Sequence, residues 1–305
     1  MAQHFLQSPA WEKFQNALGK QTIRREGVGW SYLAIVEQSA GLKRLYCPFG
    51  PTATSLEALE QALGVLRQDA RDQMATYLRV QPTGVAINTT NASRFSLFPI
   101  TYSQPEATRV INLTQSMDDI YAGISQSKRS ICRNYQNKGL AYHVSHEAAD
   151  IELLLPLLHE VAERNHIGVH DDAYLRTQAT ALVPDHASLH FMKLGETVVA
   201  GALVFEGETT NYYAHAGNTF EHRNLAASTA LVGELIRYSK DQGKQSFDLY
   251  GVAPTDDPNH PWAGVTKFKE SFGGEFVRQN QTYELPLAAG RYWLYRFARV
   301  IRQIF

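Results

Sequence analysis

The sequence predicts an α/β chain built on mixed sheets in two domains. Its 305 residues, 44% of them hydrophobic, exceed what one compact core needs and suit two domains of ordinary size. Two kinds of apolar periodicity also run through it. Tyr32, Ala34 and Val36 alternate with their neighbours as a half-buried strand does, whereas Leu56, Leu59, Leu63, Val65 and Leu66 recur at helical spacing. Finally, Gly195-Glu196-Thr197 and Gly207-Glu208-Thr209 read as turns between alternating apolar runs, which makes the middle three strands an antiparallel meander.

Taken in order, the first half reads as helix 9–18, strands near 21–25, 30–37 and 43–47, helix 55–73 and strand 75–81. The stretch 82–107, with its Asn-Thr-Thr-Asn-Ala-Ser run, reads as loop; strand 108–113 and helices 116–123 and 127–138 follow. The second half reads as strand 140–144, helices 147–165 and 171–182, and strands 188–194, 197–206 and 209–217. Helix 225–242, strand 246–250, helix 264–272 and strand 275–285 complete it.

The β-α-α-β-β-β-α-β-α-β order from 140 onward resembles the acetyltransferase superfamily fold known as GNAT. The first half repeats part of it: a meander, helix 55–73, then a strand running into Gln81-Pro82, as strand 246–250 runs towards Ala253-Pro254. The expectation is two GNAT-like domains packed side by side, 1–139 with 286–305 and 140–285. No heptad stretch is long enough for a helical arm.

Charged residues make up 19% of the chain, the net charge is −1 and the pI is about 6.8, so no global basic field exists to hold nucleic acid. A local basic run, Lys128, Arg129, Arg133 and Lys138 around Asn134 and Tyr135, fits either a few phosphates or a solvated helix face. The first residues lack a charged and apolar leader pattern, and no run reaches the roughly 18 apolar residues of a membrane span. The expected location is therefore the cytoplasm. Cys47 and Cys132 have no spaced partners, which argues against a disulfide framework and a thiolate zinc site. His166 and His170 stand four apart, but Gly168 lies between them and no third ligand has a recognised spacing, so no metal is expected.

A helical wheel of 290–305 puts Trp293, Leu294, Phe297, Val300, Ile301, Ile304 and Phe305 on one side and Arg291, Arg296, Arg299 and Arg302 on the other. Such a helix either docks its apolar face on the first domain, the expected outcome, or lies on the anionic inner face of a membrane.

Several blocks resemble the Fem transferases, which move an amino acid from aminoacyl-tRNA onto a side-chain amine of a peptidoglycan precursor. Phe5-Leu6-Gln7-Ser8-Pro9-Ala10-Trp11 is similar to that family's opening helix, and Leu45-Tyr46-Cys47-Pro48-Phe49-Gly50-Pro51 to its strand-ending turn. Ala214-His215-Ala216-Gly217 with Asn224-Leu225-Ala226-Ala227 resembles its strand, loop and helix start. The most specific block is Gly264-Val265-Thr266-Lys267-Phe268-Lys269-Glu270-Ser271-Phe272-Gly273-Gly274, downstream of Phe247-Asp248-Leu249-Tyr250-Gly251-Val252.

The resemblance implies an aminoacyltransferase of peptidoglycan cross-bridge synthesis and of cell-shape maintenance. Aminoacyl-tRNA would be the donor, with no other cofactor. A nucleotide-linked (UDP-MurNAc-pentapeptide) or lipid-linked (lipid II) precursor would be the acceptor, and the protein a monomer. Lys269 takes the place of a catalytic cation and Phe268 shapes its pocket. Arg24, with Arg25 beside it, falls at a phosphate-binding position. His170 stands where the family has an arginine, Tyr174 matches a tyrosine of the same groove, and Leu225 and Tyr250 complete the substrate-binding set. Two departures stand out: Gln81 replaces a strand-end carboxylate, and Leu225 an aromatic. No general base is assigned.

Two other functions fit the same fold. A conventional acyl-coenzyme A N-acyltransferase would need free amides in a Gly-rich loop for the pyrophosphate, whereas Arg223-Asn224-Leu225-Ala226-Ala227-Ser228 fills both glycine positions with side chains. A non-catalytic muropeptide-binding module would keep the cleft but leave Lys269 without chemistry.

Overall fold

The structure, a computed structural model, describes residues 3–39, 41–100, 104–165 and 168–304. Its first elements are α1 (Pro9–Ala17), β1 (Thr22–Gly27), β2 (Trp30–Ser39), β3 (Leu42–Cys47), β4 (Thr52–Ala53), α2 (Leu56–Asp72), β5 (Tyr77–Val80), α3 (Thr89–Arg94) and β6 (Phe98–Ile100). Next come β7 (Ala107–Asn112), α4 (Met117–Gly123), α5 (Gln126–Asn134), β8 (Leu140–Ser145), α6 (Ile151–Asn165) and α7 (Asp172–Leu182). The rest are β9 (Ala187–Leu194), β10 (Thr197–Glu206), β11 (Thr210–Asn218), α8 (Ala227–Asp241), β12 (Ser246–Gly251), α9 (Ala263–Glu270), β13 (Glu275–Arg278), β14 (Thr282–Pro286) and α10 (Ala289–Ile304).

Helix starts follow local chemistry. Ser8 precedes Pro9 and its hydroxyl accepts from the Trp11 amide; Ser55, Asn88 and Asp171 do the same at α2, α3 and α7.

The chain forms two compact units, Gln3–Glu106 with Gln279–Phe305 and Ala107–Arg278. The first carries a sheet of order β1-β2-β3-β5-β14-β6, with β4 beside β2. The second carries β13-β7-β12-β11-β10-β9-β8. In each, an antiparallel meander leads through a helix, α2 or α8, into a strand that pairs parallel with the meander's last long strand: β3 with β5, β11 with β12. An antiparallel pair then extends the sheet, β14 and β6 in one unit and β7 and β13 in the other. This is the GNAT-like arrangement the element order predicts, present twice. The first core joins Leu59 and Leu63 of α2 to Tyr32, Leu45 and Leu78; the second joins Leu231 and Leu235 of α8 to Val204, Phe247 and Leu249.

Several expectations are corrected. The stretch 82–107 is not all loop, since Asn88 caps a short helix there and Phe98–Ile100 pairs with β14. The strand expected over 275–285 is two strands in different sheets. Between them Asn280 donates to the carbonyls of Pro82 and Val85 and accepts from the Ile87 amide, which turns the chain out of one sheet and into the other. The second unit consequently begins at β7, not at 140, because that strand lies between β12 and β13. Helix α8 starts at Ala227, after a 3-10 turn over Arg223–Leu225 and a left-handed Ala226.

The last helix docks by a different face from the one expected. Tyr292 is fully buried and donates to Glu284, which also pairs with buried Arg79, and Tyr295 stacks on Tyr77 at 5.7 Å. Trp293, Leu294 and Phe297 remain 47%, 71% and 66% exposed. Side chains of 298–304, and Phe305 as a whole, lie outside the described residues.

Candidate active site

Ligand sites in α/β sheets form beyond the carboxyl ends of strands, and the second unit's parallel pair opens at such an end. Strands β11 and β12 are in register from Thr210↔Ser246 to Tyr212↔Asp248 and then part. Against β7, β12 bulges between Asp248 and Gly251. Tyr250, within the bulge, takes a left-handed backbone (φ 63°), and its amide donates to the Asp248 carboxylate at 2.7 Å. The ring of Tyr250 meets that of Tyr212 edge-on at 6.4 Å.

Helix α9 closes this strand end. Lys269 is only 8% exposed, and its Nζ donates to the Gly251 carbonyl at 2.8 Å. One turn earlier Thr266 accepts from the Ala253 amide, and Arg278 donates to the Pro254 carbonyl. Three side chains thus hold the chain as it leaves β12. Lys269 is therefore not a solvent-facing lysine. Burial also pushes its amine down to about 8, opposed by the nearby Asp248 charge.

Asp248 is the counterpart. It is 7% exposed, accepts from the Thr108 hydroxyl and the Tyr250 amide, and burial raises it to about 6 although those bonds and Lys269 favour its charged form. A carboxyl and an amine held at about 6 and about 8 are a proton acceptor and a cation poised around neutrality. Sequence alone gives Asp248 no role; its one signal is an acidic residue amid the apolar Phe247-Asp248-Leu249.

Phe268 packs partly buried on the second unit's core, 5.1 Å from Phe272, and Lys128 lies over its ring at 5.3 Å while donating to Thr229. Leu225 packs on the same core, and its carbonyl and that of Asn224 accept from Lys138. Two lysines of the basic run therefore sit at the start of α8. Arg129 instead ties down the Ala122 and Ile124 carbonyls, and Arg133 pairs with Asp118.

His170 and Tyr174 are stacked at 4.1 Å. His215 of β11, to which sequence alone gives no role, stands edge-on to His170 at 5.8 Å and to Phe205 at 5.9 Å. Desolvation, with His170 adding to it, holds His215 at about 3 and hence neutral. His166 lies outside the described residues. No cluster of three metal-ligating side chains occurs among the described residues.

Arg24 belongs to the first unit, on β1. Its Nε donates to Glu12 at 2.6 Å and its Nη1 to the Gln7 carbonyl at 3.0 Å, while Nη2 is buried without a hydrogen-bond partner. Arg25 pairs with Asp69, which also accepts from Tyr32. Gln81 is buried, donating to the Pro105 and Asn280 carbonyls, a structural post at that strand end. Cys47 and Cys132 are free and buried, and burial raises both thiols.

The two units define a GNAT-like fold class, and a tandem GNAT protein from the clavulanic acid biosynthesis pathway is similar to this chain. There the TM-score is 0.50 at 14% identity, over 86% of this chain and 81% of that one. Within that class, residues 185–299, which carry the strand end, α9 and Lys269, match the FemAB family, so the Fem resemblance stands. The FemX crystal structure has the same fold, with a TM-score of 0.83 at 15% identity over 96% of this chain and 94% of that one. Aminoacyltransferase FemA of Staphylococcus epidermidis is 24% identical over 106 residues, which are 35% of this chain. The matched stretch spans 25% of that protein's length.

Proposed function

We propose that this protein is an aminoacyltransferase that adds an amino acid to the stem peptide of a peptidoglycan precursor, with aminoacyl-tRNA as donor. The observation that carries this reading is the buried Lys269 beside Asp248, in the block most specific to the Fem resemblance and inside the stretch that matches the FemAB family.

In this reading the acceptor amine attacks the ester carbonyl carbon of the aminoacyl donor. A C–N bond forms, a tetrahedral oxyanion develops, and the C–O bond to the ribose breaks as the hydroxyl leaves. The ester is already activated, so no further cofactor is required. The protein's tasks are positioning and stabilising charge, and one well-placed donor to an oxyanion is worth about 3–4 kcal/mol. Lys269 supplies that cation, and Asp248 accepts the amine's proton, which passes to the departing ribose oxygen.

Mass spectrometry of products formed from charged tRNA, with nucleotide-linked and lipid-linked acceptors supplied separately, tests the proposal. The expected result is an acceptor heavier by one aminoacyl residue, formed only with intact charged tRNA. Transfer from acetyl-coenzyme A instead would replace the proposal with conventional acyl transfer. Acceptor binding without transfer would replace it with a binding module.

Coenzyme A itself is expected not to bind at physiological concentrations. The loop before α8 carries side chains at 223–228, and Lys138 already occupies two of its carbonyls. Calorimetric titration giving a micromolar dissociation constant for acetyl-coenzyme A would contradict this.

Arg24 is assigned to the acceptor's diphosphate, for which it would exchange Glu12. Charge-assisted contacts of this kind contribute about 1.5–3 kcal/mol. Arg24→Ala should raise the acceptor's KM about tenfold or more, whereas Glu12→Gln, which frees the guanidinium, should not raise it. Steady-state kinetics with varied acceptor distinguishes the two, and an unchanged KM in Arg24→Ala would move the diphosphate elsewhere.

A further inference from the structure

We infer that α10 is an in-plane anchor for an anionic lipid surface. The docked face of the helix is fixed by Tyr292 on Glu284 and by Tyr295 on Tyr77, which leaves Trp293, Leu294 and Phe297 turned outward. Phe98 of β6 meets Trp293 edge-on at 5.3 Å and is itself partly exposed, so the apolar surface extends beyond the helix. Large side chains in a contiguous exposed patch are uncommon on a free surface.

Charge selects the occupant. Residues 289–305 hold four arginines and no acidic residue, in a chain of net charge −1. Arg291 is exposed, and Arg296 lies 5.9 Å from the Trp293 ring. An aromatic and aliphatic face edged by arginines suits the boundary between headgroups and acyl chains, where rings sit at headgroup level and guanidinium groups meet lipid phosphates. A second copy is a poorer fit, because a symmetric pairing would set two arginine-rich, acid-free helices against each other. Crossing the bilayer is not the alternative: no described helix is long and apolar enough to do so. The inference does not depend on the acyl-transfer chemistry.

Flotation of the whole chain with lipid vesicles tests it. The protein should float with vesicles rich in phosphatidylglycerol and not with vesicles of phosphatidylcholine alone, and added salt should weaken the binding. The double variant Leu294→Asp, Phe297→Asp should lower the bound fraction about tenfold or more, and Arg291→Glu should lower it as well. All these side chains are exposed, so thermal melting should stay at the parent value and report that the fold is intact. Absence of flotation would overturn the inference, as would equal binding to both vesicle types that the double variant leaves unchanged. A dimer that the double variant dissociates, with no vesicle binding, would assign the face to self-association instead.

Discussion

Lys269→Met should fold, bind the acceptor as well as the parent does, and lose about a hundredfold or more in turnover. A cation that acts on charge present only in the transition state contributes little to ground-state affinity, so its loss falls on kcat. A hundredfold loss corresponds to about 2.7 kcal/mol. The pH profile separates this role from a purely structural one. With the amine at about 8, the cation is present at neutral pH and is lost as pH rises through that value. Parent turnover should therefore fall on the alkaline side near 8, and Lys269→Met should lack that limb. Asp248 at about 6 predicts a rise in turnover as pH climbs through 6, removed in Asp248→Asn. Stopped-assay kinetics across pH, with melting temperature as the fold control, reads both. Near-parent turnover in Lys269→Met would leave the residue a bracket for Gly251 and remove it from the chemistry.

Gly217→Ala should be the most destabilising small substitution in the second unit. A methyl group at Gly217 on β11 would stand 2.4 Å from the Leu157 carbonyl carbon and oxygen and 2.7 Å from the Leu158 nitrogen, all backbone atoms of α6. Backbone cannot swing aside as a flexible side chain does, so helix and strand would have to separate. The expected cost is about 3 kcal/mol or more, at the upper end for overpacking, and a fall in melting temperature on the order of 6–12 °C. Gly264→Ala is the contrast. Nothing lies within 4 Å of a methyl group there, and the site is in the first turn of α9, so stability should hold or rise slightly. Calorimetric melting of the two variants side by side checks the pair; equal melting temperatures would show that α6 yields to β11.

The contrast also marks how far the sequence could be read. Periodicity and turn residues found the meander Ala187–Leu194, Thr197–Glu206, Thr210–Asn218, because each strand's alternation is a local property. The Gly264–Gly274 block likewise directed attention to Lys269. Whether a glycine lies against another backbone is set by residues about sixty positions away, so Gly217 and Gly264 look alike in the chain. Asp248 is hidden for a similar reason: its raised pKa comes from burial, and its partners Thr108 and Lys269 lie far from it in sequence. Arg24 was legible as a cation but not as one already paired with Glu12. In α10 the amphipathic pattern was correct and its orientation was not. A wheel shows which side is apolar, but Tyr292 reaching buried Glu284 decides which side docks.

The path of the chain through the two sheets has a consequence for synthesis. Strand β14, which lies between β5 and β6, is encoded after the whole of Ala107–Arg278. A ribosome therefore releases every strand of the later unit before it supplies the piece that joins β5 to β6. Until residue 286 has emerged, the nascent first unit presents β5 and β6 as unpaired strand edges, the features that invite pairing with other chains. The half that is begun first is the half that is finished last.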